Sequence, residues 1–205
     1  MWRTASVVIG VGANRGQYAE RLRAAGYAGP LISIEPLRKA FDALEDTAAA
    51  DPSWRWVRAA VGDRPGRVTL HASANDECSS VLPLTDEGRR WAKYVDDEQV
   101  GMVRLDDLGL ADERPYLKID VQGYEAPVLR GATDTLSRAV GVEAQLSLVE
   151  LYRGQKLAAD GAECCERPAS SRCTWPSLRV IPGPRDLAAR RRLRSVYVAV
   201  FRSMS

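Results

Sequence analysis

Apolar residues along this chain fall into two alternating patterns. Residues 7–9, 31–34, 56–61, 116–119 and 142–149 form short, nearly continuous apolar runs, the composition of strands buried on both faces. Residues 17–25, 37–49 and 124–138 place apolar positions three and four apart, the spacing of one helix face. Strands alternating with helices predict an α/β fold, a mostly parallel sheet with helices on both faces. The middle departs from this rhythm. After the turn Asp63-Arg64-Pro65-Gly66, residues 67–72 alternate apolar and polar, as an antiparallel strand does. Residues 73–100 are polar and irregular and predict a long loop of the lid or substrate-loop kind.

The junctions between these elements carry the candidate chemistry. The first strand runs into Gly10, Gly12 and Gly16 and then directly into a helix. Strand, glycine turn and helix open a nucleotide-type cofactor site, although the same turn also occurs as plain architecture. Glycine lets backbone approach a ligand without a Cβ in the way, and the helix start supplies free N–H groups. The second strand ends in Glu35 and Pro36. Glu35 lies about twenty residues beyond the turn, where a carboxylate can accept both hydroxyls of a ribose. Further on, Pro115-Tyr116-Leu117-Lys118-Ile119 delivers Asp120 at a strand end, Gly123 allows a sharp turn, and Tyr124-Glu125 opens a helix. Ligands of open α/β sheets bind outside the carboxyl ends of the strands, so Glu35 and Asp120 are expected to converge with Gly12 and Gly16 at one edge.

The totals narrow the picture only a little. At 205 residues the chain is expected to form a single domain, residues 1–205. Lys plus Arg is 29 against 27 Asp plus Glu, a net charge of +2, which gives no reason to invoke nucleic acid or a membrane surface as partner. The five arginines of residues 185–194 read as a solvated run. No stretch approaches the about twenty apolar residues of a membrane span, and no secretion leader follows Arg3, so the expectation is a cytoplasmic protein. Cys78, Cys164, Cys165 and Cys173 show no disulfide framework. No second CxxC pair accompanies them and the one histidine, His71, is distant in sequence, which argues against zinc.

The stretches VIGVGANRGQYAERLR, LISIEPLRKAFDAL, RAAVGDRPGRVTLHASANDECSSVLP, VRLDDL, PYLKIDVQGYEAPVLRGA and VEAQLSLVELYRGQ follow one another from residue 6 to residue 155. In this order they resemble the FkbM-type methyltransferases, which use S-adenosyl-L-methionine and have the Rossmann-like class I methyltransferase fold. The resemblance implies that Gly12, Asn14 and Gly16 line the methionine end of the cofactor. It places Glu35 on the ribose, Asp63 near the adenine, and Asp120 opposite the sulfonium and the acceptor hydroxyl. Beside this, the long polar loop next to the strand ends is expected to border a small-molecule acceptor with Asn75, Ser79 and Ser80, while Lys118 either contacts that acceptor or only snorkels from its strand. The implied reaction is O-methylation of a hydroxyl on a sugar, polyketide or related metabolite. Asp120 is the first candidate to deal with the hydroxyl proton, as base or as ligand of a divalent cation that acidifies the hydroxyl. His71 is the other conceivable base, although a lone histidine on an alternating strand reads more readily as structural.

Three departures accompany the resemblance. The family usually has an acid where this chain has Gly10, and often Glu where it has Gln145. After Gln155 the match stops, and residues 156–205 are rich in Arg, Cys and Pro with poor periodicity. A shifted reading frame in a GC-rich gene would give such an atypical C-terminal end, with residues 195–201 still able to supply a last strand. Two other readings stay open. One is a degenerate, non-catalytic homologue. The less favoured one is a nicotinamide-dependent oxidoreductase, whose G-x-G-x-x-G fingerprint is one residue shorter between its last two glycines than Gly12 to Gly16.

Overall fold

Val7, Val8, Ile9 and Val11 suit a pleated, buried segment, and they form β1 (Val7–Val11), the centre of the main sheet. The computed structural model describes residues 2–110, 113–158, 178–181 and 195–201. After β1 come α1 (Gln17–Ala24), β2 (Leu31–Ile34), α2 (Arg38–Ala48), β3 (Trp54–Val57), β4 (Ala60–Val61), β5 (Gly66–Ser73) and β6 (Tyr94–Val103). They are followed by β7 (Pro115–Ile119), α3 (Glu125–Arg130), α4 (Thr133–Arg138), β8 (Gly141–Ser147), β9 (Leu178–Ile181) and β10 (Ser195–Phe201).

The main sheet has the order β3-β2-β1-β7-β8-β10-β9. From β3 to β8 every neighbouring pair is parallel, while β10 runs antiparallel to both β8 and β9. The chain leaves β1 toward β2 and β3 on one side and later fills β7 and β8 on the other. The carboxyl ends of β1 and β7 therefore flank a topological switch point, where a crevice opens.

Alternate residues of β1 feed two cores. Val7, Ile9 and Val11 pack with Leu117, Ile119 and the α3 residue Val128 on one face. Val8 packs with Tyr116, Leu31, Trp54 and the helix residues Leu22 and Leu44 on the other. Helices thus cover both faces, as the apolar pattern predicts. Burying Leu22 or Leu44 stabilises the fold by roughly 1.5–3 kcal/mol each. Gly10 shares the face of Val8, so the site faces α1 and α2.

The middle of the chain corrects the sequence reading. Residues 56–61 do not form one strand: β3 belongs to the main sheet, while β4 joins a second sheet of order β4-β6-β5. The segment expected to be irregular up to residue 100 contains most of β6, which pairs antiparallel with β5. Leu70, Ala72, Val100 and Met102 of this small sheet pack on Leu37 and Ala40 of the α2 region, so it is clamped to the main domain body. The helix expected over residues 124–138 is broken into α3 and α4 at Gly131. There the backbone lies so close to Gly62 that a Cβ would come within 1.9 Å of the Gly62 carbonyl oxygen. The expected last strand, residues 195–201, is β10. Most of the divergent end, with Cys164, Cys165, Cys173 and the arginine run, lies outside the described residues.

Candidate active site

The glycine turn is shaped by how closely two strand ends approach. Gly12 has φ +73°, and a Cβ on it would lie 1.9 Å from the carbonyl oxygen of Asp120. Only glycine fits there. Gly16 caps α1 with φ +92°, and its missing Cβ leaves room for Trp54 at 2.9 Å. Between them Asn14 takes φ 48°, and its side-chain oxygen accepts from the Arg15 N–H and the Gln17 amide at 2.9 and 3.0 Å. Among the described residues only Asn14 and Gln122 combine a side chain with positive φ, and both line the same cavity. Backbone strain of this kind concentrates at functional sites.

The parallel register sets two rows of side chains across the crevice. Ser33, Gly10, Lys118 and Glu143 are aligned partners in β2, β1, β7 and β8. Two residues nearer the strand ends stand Glu35, Gly12, Asp120 and Gln145. A cavity of about 540 Å³ lies over them, lined by Gly12, Asn14, Gly16, Glu35, Lys118 and Asp120 among others. That volume is in the range of cofactor and small-molecule sites.

Glu35 is only 6% exposed. Its Oε1 accepts from the Leu37 N–H at 2.9 Å and its Oε2 from the Asn14 N–H at 2.8 Å. Burial pushes the carboxyl up to about 7, while those two N–H groups pull it down and the Asp120 charge adds to the rise. Each carboxylate oxygen keeps a further lone pair for a ligand hydroxyl.

Asp120 is held from two sides. Lys118 Nζ lies 3.2 Å from its Oδ2, and the Gln122 amide donates to Oδ1 at 2.7 Å. Gln122 is itself fixed: the Tyr152 hydroxyl is 3.0 Å from its Oε1, and the Ser80 hydroxyl donates to its carbonyl at 2.7 Å. Beneath Lys118, the hydroxyls of Tyr18 and Tyr116 both donate to Glu143 Oε2, at 3.1 and 3.2 Å. Burial first, then the Glu143 charge, pushes both phenols above their ordinary range, so both remain donors.

A short 3₁₀ turn, Asp76–Cys78, forms one wall of the cavity, with Asn75 capping it. Asp76 pairs with Arg15 of the glycine turn at 2.6 Å and with Lys39 of α2 at 3.3 Å. Burial raises the Asp76 carboxyl, but these two cations together outweigh it and hold it below the ordinary carboxylate value.

Most of the residues singled out from the sequence meet here. Gly12, Asn14, Gly16, Glu35, Asn75, Ser79, Ser80, Lys118 and Asp120 all line the cavity. Asp63 does not: its carboxylate is bound by the Arg130 guanidinium at 3.1 Å, and Ala59, Ala60 and Val61 line the wall instead. His71 also points elsewhere, with Nδ1 2.6 Å from Asp97 Oδ1 and its ring stacked on Tyr94. Arg15, Tyr18, Asp76, Gln122 and Tyr152 escape sequence reading, because their partners lie far along the chain and no spacing marks them. Among the described residues no group of three or more His, Cys, Asp or Glu side chains could hold a metal ion. With a lysine ammonium and an amide N–H on its two oxygens, Asp120 does not fit the donor set of a hard cation.

The parallel sheet, the glycine turn at its switch point, and the acids at the ends of β2 and β7 define a Rossmann-like fold of the class I S-adenosylmethionine-dependent methyltransferases. The chain belongs to the FkbM methyltransferase family, whose domain matches residues 10–162. It is similar to the 2-O-methyltransferase NoeI of Sinorhizobium fredii (strain NBRC 101917 / NGR234), at 27% identity over 162 aligned positions covering 73% of this chain. The chain spans 66% of that relative's length. Among solved structures it resembles a candidate O-methyltransferase from Nostoc punctiforme PCC 73102, with TM-score 0.51 and 7% identity over 97% of this chain and 52% of that one. It also resembles WbdD, with TM-score 0.51 and 11% identity over 95% of this chain and 35% of that one. Likeness at such low identity speaks to the fold alone.

Proposed function

We propose that this protein is an S-adenosylmethionine-dependent O-methyltransferase acting on a hydroxyl of a sugar, polyketide or related small molecule. The observation that carries the proposal is the placement of Glu35 and Asp120 on either side of the Cβ-free surface of Gly12, in one cavity. When bound, S-adenosylmethionine supplies a methyl group on a positively charged sulfur. Glu35 accepts the ribose hydroxyls. Gly12, Asn14 and Gly16 let the backbone pass close to the ligand. Asp120 would accept a hydrogen bond from the acceptor hydroxyl, orient it and take its proton on methylation, the cofactor leaving as S-adenosylhomocysteine. Lys118 and Gln122 fix the orientation of that carboxylate. Alignment of this kind is the main contribution a protein makes to such a displacement. The name of the Sinorhizobium relative and the family membership support an oxygen acceptor, and the loop of Asn75, Ser79 and Ser80 offers polar groups to it.

The test is methyl transfer from radiolabelled S-adenosylmethionine to a panel of saccharides and polyketide alcohols. Asp120→Asn keeps the shape and removes the negative charge. It is expected to retain S-adenosylhomocysteine binding and to lower transfer by roughly a hundredfold or more. Transfer undiminished in this variant would remove Asp120 from the chemistry.

A further inference from the structure

The geometry points to Gln122 and Tyr152 as positioning residues that relay the proton on Asp120 to the loop beside the acceptor. The relay rests on the proposed role of Asp120 as the group that takes the acceptor's proton. Gln122 sits where three stretches of chain meet. Its Nε2 donates to Asp120 Oδ1 at 2.7 Å, at the end of β7. Its Oε1 accepts from the Tyr152 hydroxyl at 3.0 Å, in the segment after β8. Its carbonyl accepts from the Ser80 hydroxyl at 2.7 Å, in the loop after β5. The residue holds φ 50°, a conformation that side chains rarely adopt, so these anchors keep it in place.

Tyr152 supplies the switch. Its hydroxyl is 3.0 Å from Gln122 Oε1 and 3.2 Å from the Cys78 carbonyl oxygen, and it has one hydrogen for two acceptors. Tyr152 is buried, and burial above all pushes its phenol past the ordinary range, so that hydrogen stays. An ionised Asp120 takes the Gln122 N–H, and Tyr152 then donates to Gln122 Oε1. A protonated Asp120 is itself a donor. A half-turn of the Gln122 amide now presents Oε1 to Asp120 and Nε2 to the Tyr152 oxygen, which sends the tyrosine hydrogen to the Cys78 carbonyl. Amide oxygen and nitrogen are close in size, so the half-turn displaces no neighbour. Cys78 adjoins Ser79 and Ser80 on the cavity wall. Tyr152 therefore ties the loop down once the acceptor's proton has arrived and frees it when the proton leaves. The other titratable groups facing the relay are Lys118, Glu35 and Glu125 around Asp120, and Cys78 and Tyr94 around Tyr152.

The test is nuclear magnetic resonance of the isotope-labelled full chain, following the Gln122 side-chain amide and the Cys78 carbonyl carbon. The amide signal is assigned by its loss in Gln122→Met. Acidification from about pH 7 to about pH 4, the ordinary aspartate value, is expected to move both signals together, the carbonyl carbon downfield as it gains a hydrogen bond. Asp120→Asn is expected to abolish this joint movement. Tyr152→Phe loses only a hydroxyl. It is expected to shift the amide at neutral pH and to leave the Cys78 carbon in place throughout. Gln122→Met is expected to leave the Cys78 carbon equally unresponsive, and cooperative melts show that each variant is folded. A Cys78 carbon that stays fixed in the wild type, or moves in Tyr152→Phe as it does in the wild type, overturns the relay alone. So does one that already shifts at neutral pH when the hydroxyl is removed. Joint movement surviving in Asp120→Asn places the proton on another group and overturns the relay as well. Methyl transfer undiminished in Asp120→Asn overturns the role of Asp120 and the relay with it.

Discussion

Asp76 reaches Arg15 at 2.6 Å, across 61 residues of sequence, and so ties the loop after β5 to the glycine turn. Lys39 joins from the side of α2. Arg15 and Lys39 are well exposed, so each pair contributes little to global stability. Their effect is local, holding the loop over the crevice. Asp76→Asn removes both ion pairs. Limited proteolysis near residues 75–77 is expected to speed up several-fold in this variant, and S-adenosylhomocysteine is expected to slow cleavage of the wild type. Identical cleavage rates in the variant and the wild type, with and without ligand, would leave the loop without a closing role.

Two neighbouring glycines offer a steric contrast. Gly12→Ala puts a methyl 1.9 Å from the Asp120 carbonyl at φ +73°, whereas Gly10→Ala meets nothing within 3.9 Å. Thermal melts are expected to show a loss on the order of 3 kcal/mol or more for Gly12→Ala. Gly10→Ala is expected to stay within about 1 kcal/mol of wild type. Equal melts for the two variants would contradict the close approach of β1 and β7.

Glu125, the first residue of α3, is 5% exposed and accepts from the Val121 and Gly123 N–H groups through one oxygen. Burial pushes its carboxyl from 4.5 up to about 7, against those N–H groups. A carboxyl raised in the folded state contributes stability that is present below its unfolded value and lost as pH rises through the folded value. Glu125→Gln keeps the accepting oxygen and stays neutral. Its unfolding free energy relative to wild type is therefore expected to climb between about pH 5 and pH 8, by an amount on the order of 3 kcal/mol, read from melts across that range. Parallel curves for the two proteins would show that Glu125 does not titrate in this range.

His71 is turned to Asp97 and Tyr94, outside the cavity wall. His71→Gln is expected to leave methyl transfer within about twofold of wild type, against the roughly hundredfold loss typical of a missing base. A loss of that larger size would return His71 to the mechanism.

The sequence made the central crevice legible for a physical reason. β1, β2 and β7 are buried on both faces, so their apolar runs are continuous, and Gly12, Pro36 and Gly123 mark where they stop. Glu35 and Asp120 were therefore visible as strand-end acids before any contact was known. The second sheet was not legible. β6 carries Asp96, Asp97 and Glu98 in succession, because this half of the strand is exposed, and three acids in a row read as loop. The run of residues 56–61 hid a change of sheet, since Arg58 and Ala59 are ordinary strand residues by composition. Asp63 lies outside the cavity for a similar reason: the run before it divides between β3 and β4, and the Arg130 guanidinium that captures it lies 67 residues away. Contacts at that range, like those of Asp76 with Arg15 and Tyr152 with Gln122, leave no periodic trace in the sequence.

Glu35 decides the central claim. Because it also holds the Asn14 and Leu37 N–H groups, Glu35→Gln is the cleaner variant, keeping one acceptor where alanine would leave both N–H groups unpaired. Isothermal titration of wild-type protein with S-adenosylhomocysteine is expected to show one site. In Glu35→Gln affinity is expected to fall roughly ten- to hundredfold, with the cooperative melt retained. An affinity unchanged by this substitution, or wild-type protein that binds NADH in place of S-adenosylhomocysteine, would contradict the cofactor site described for this fold.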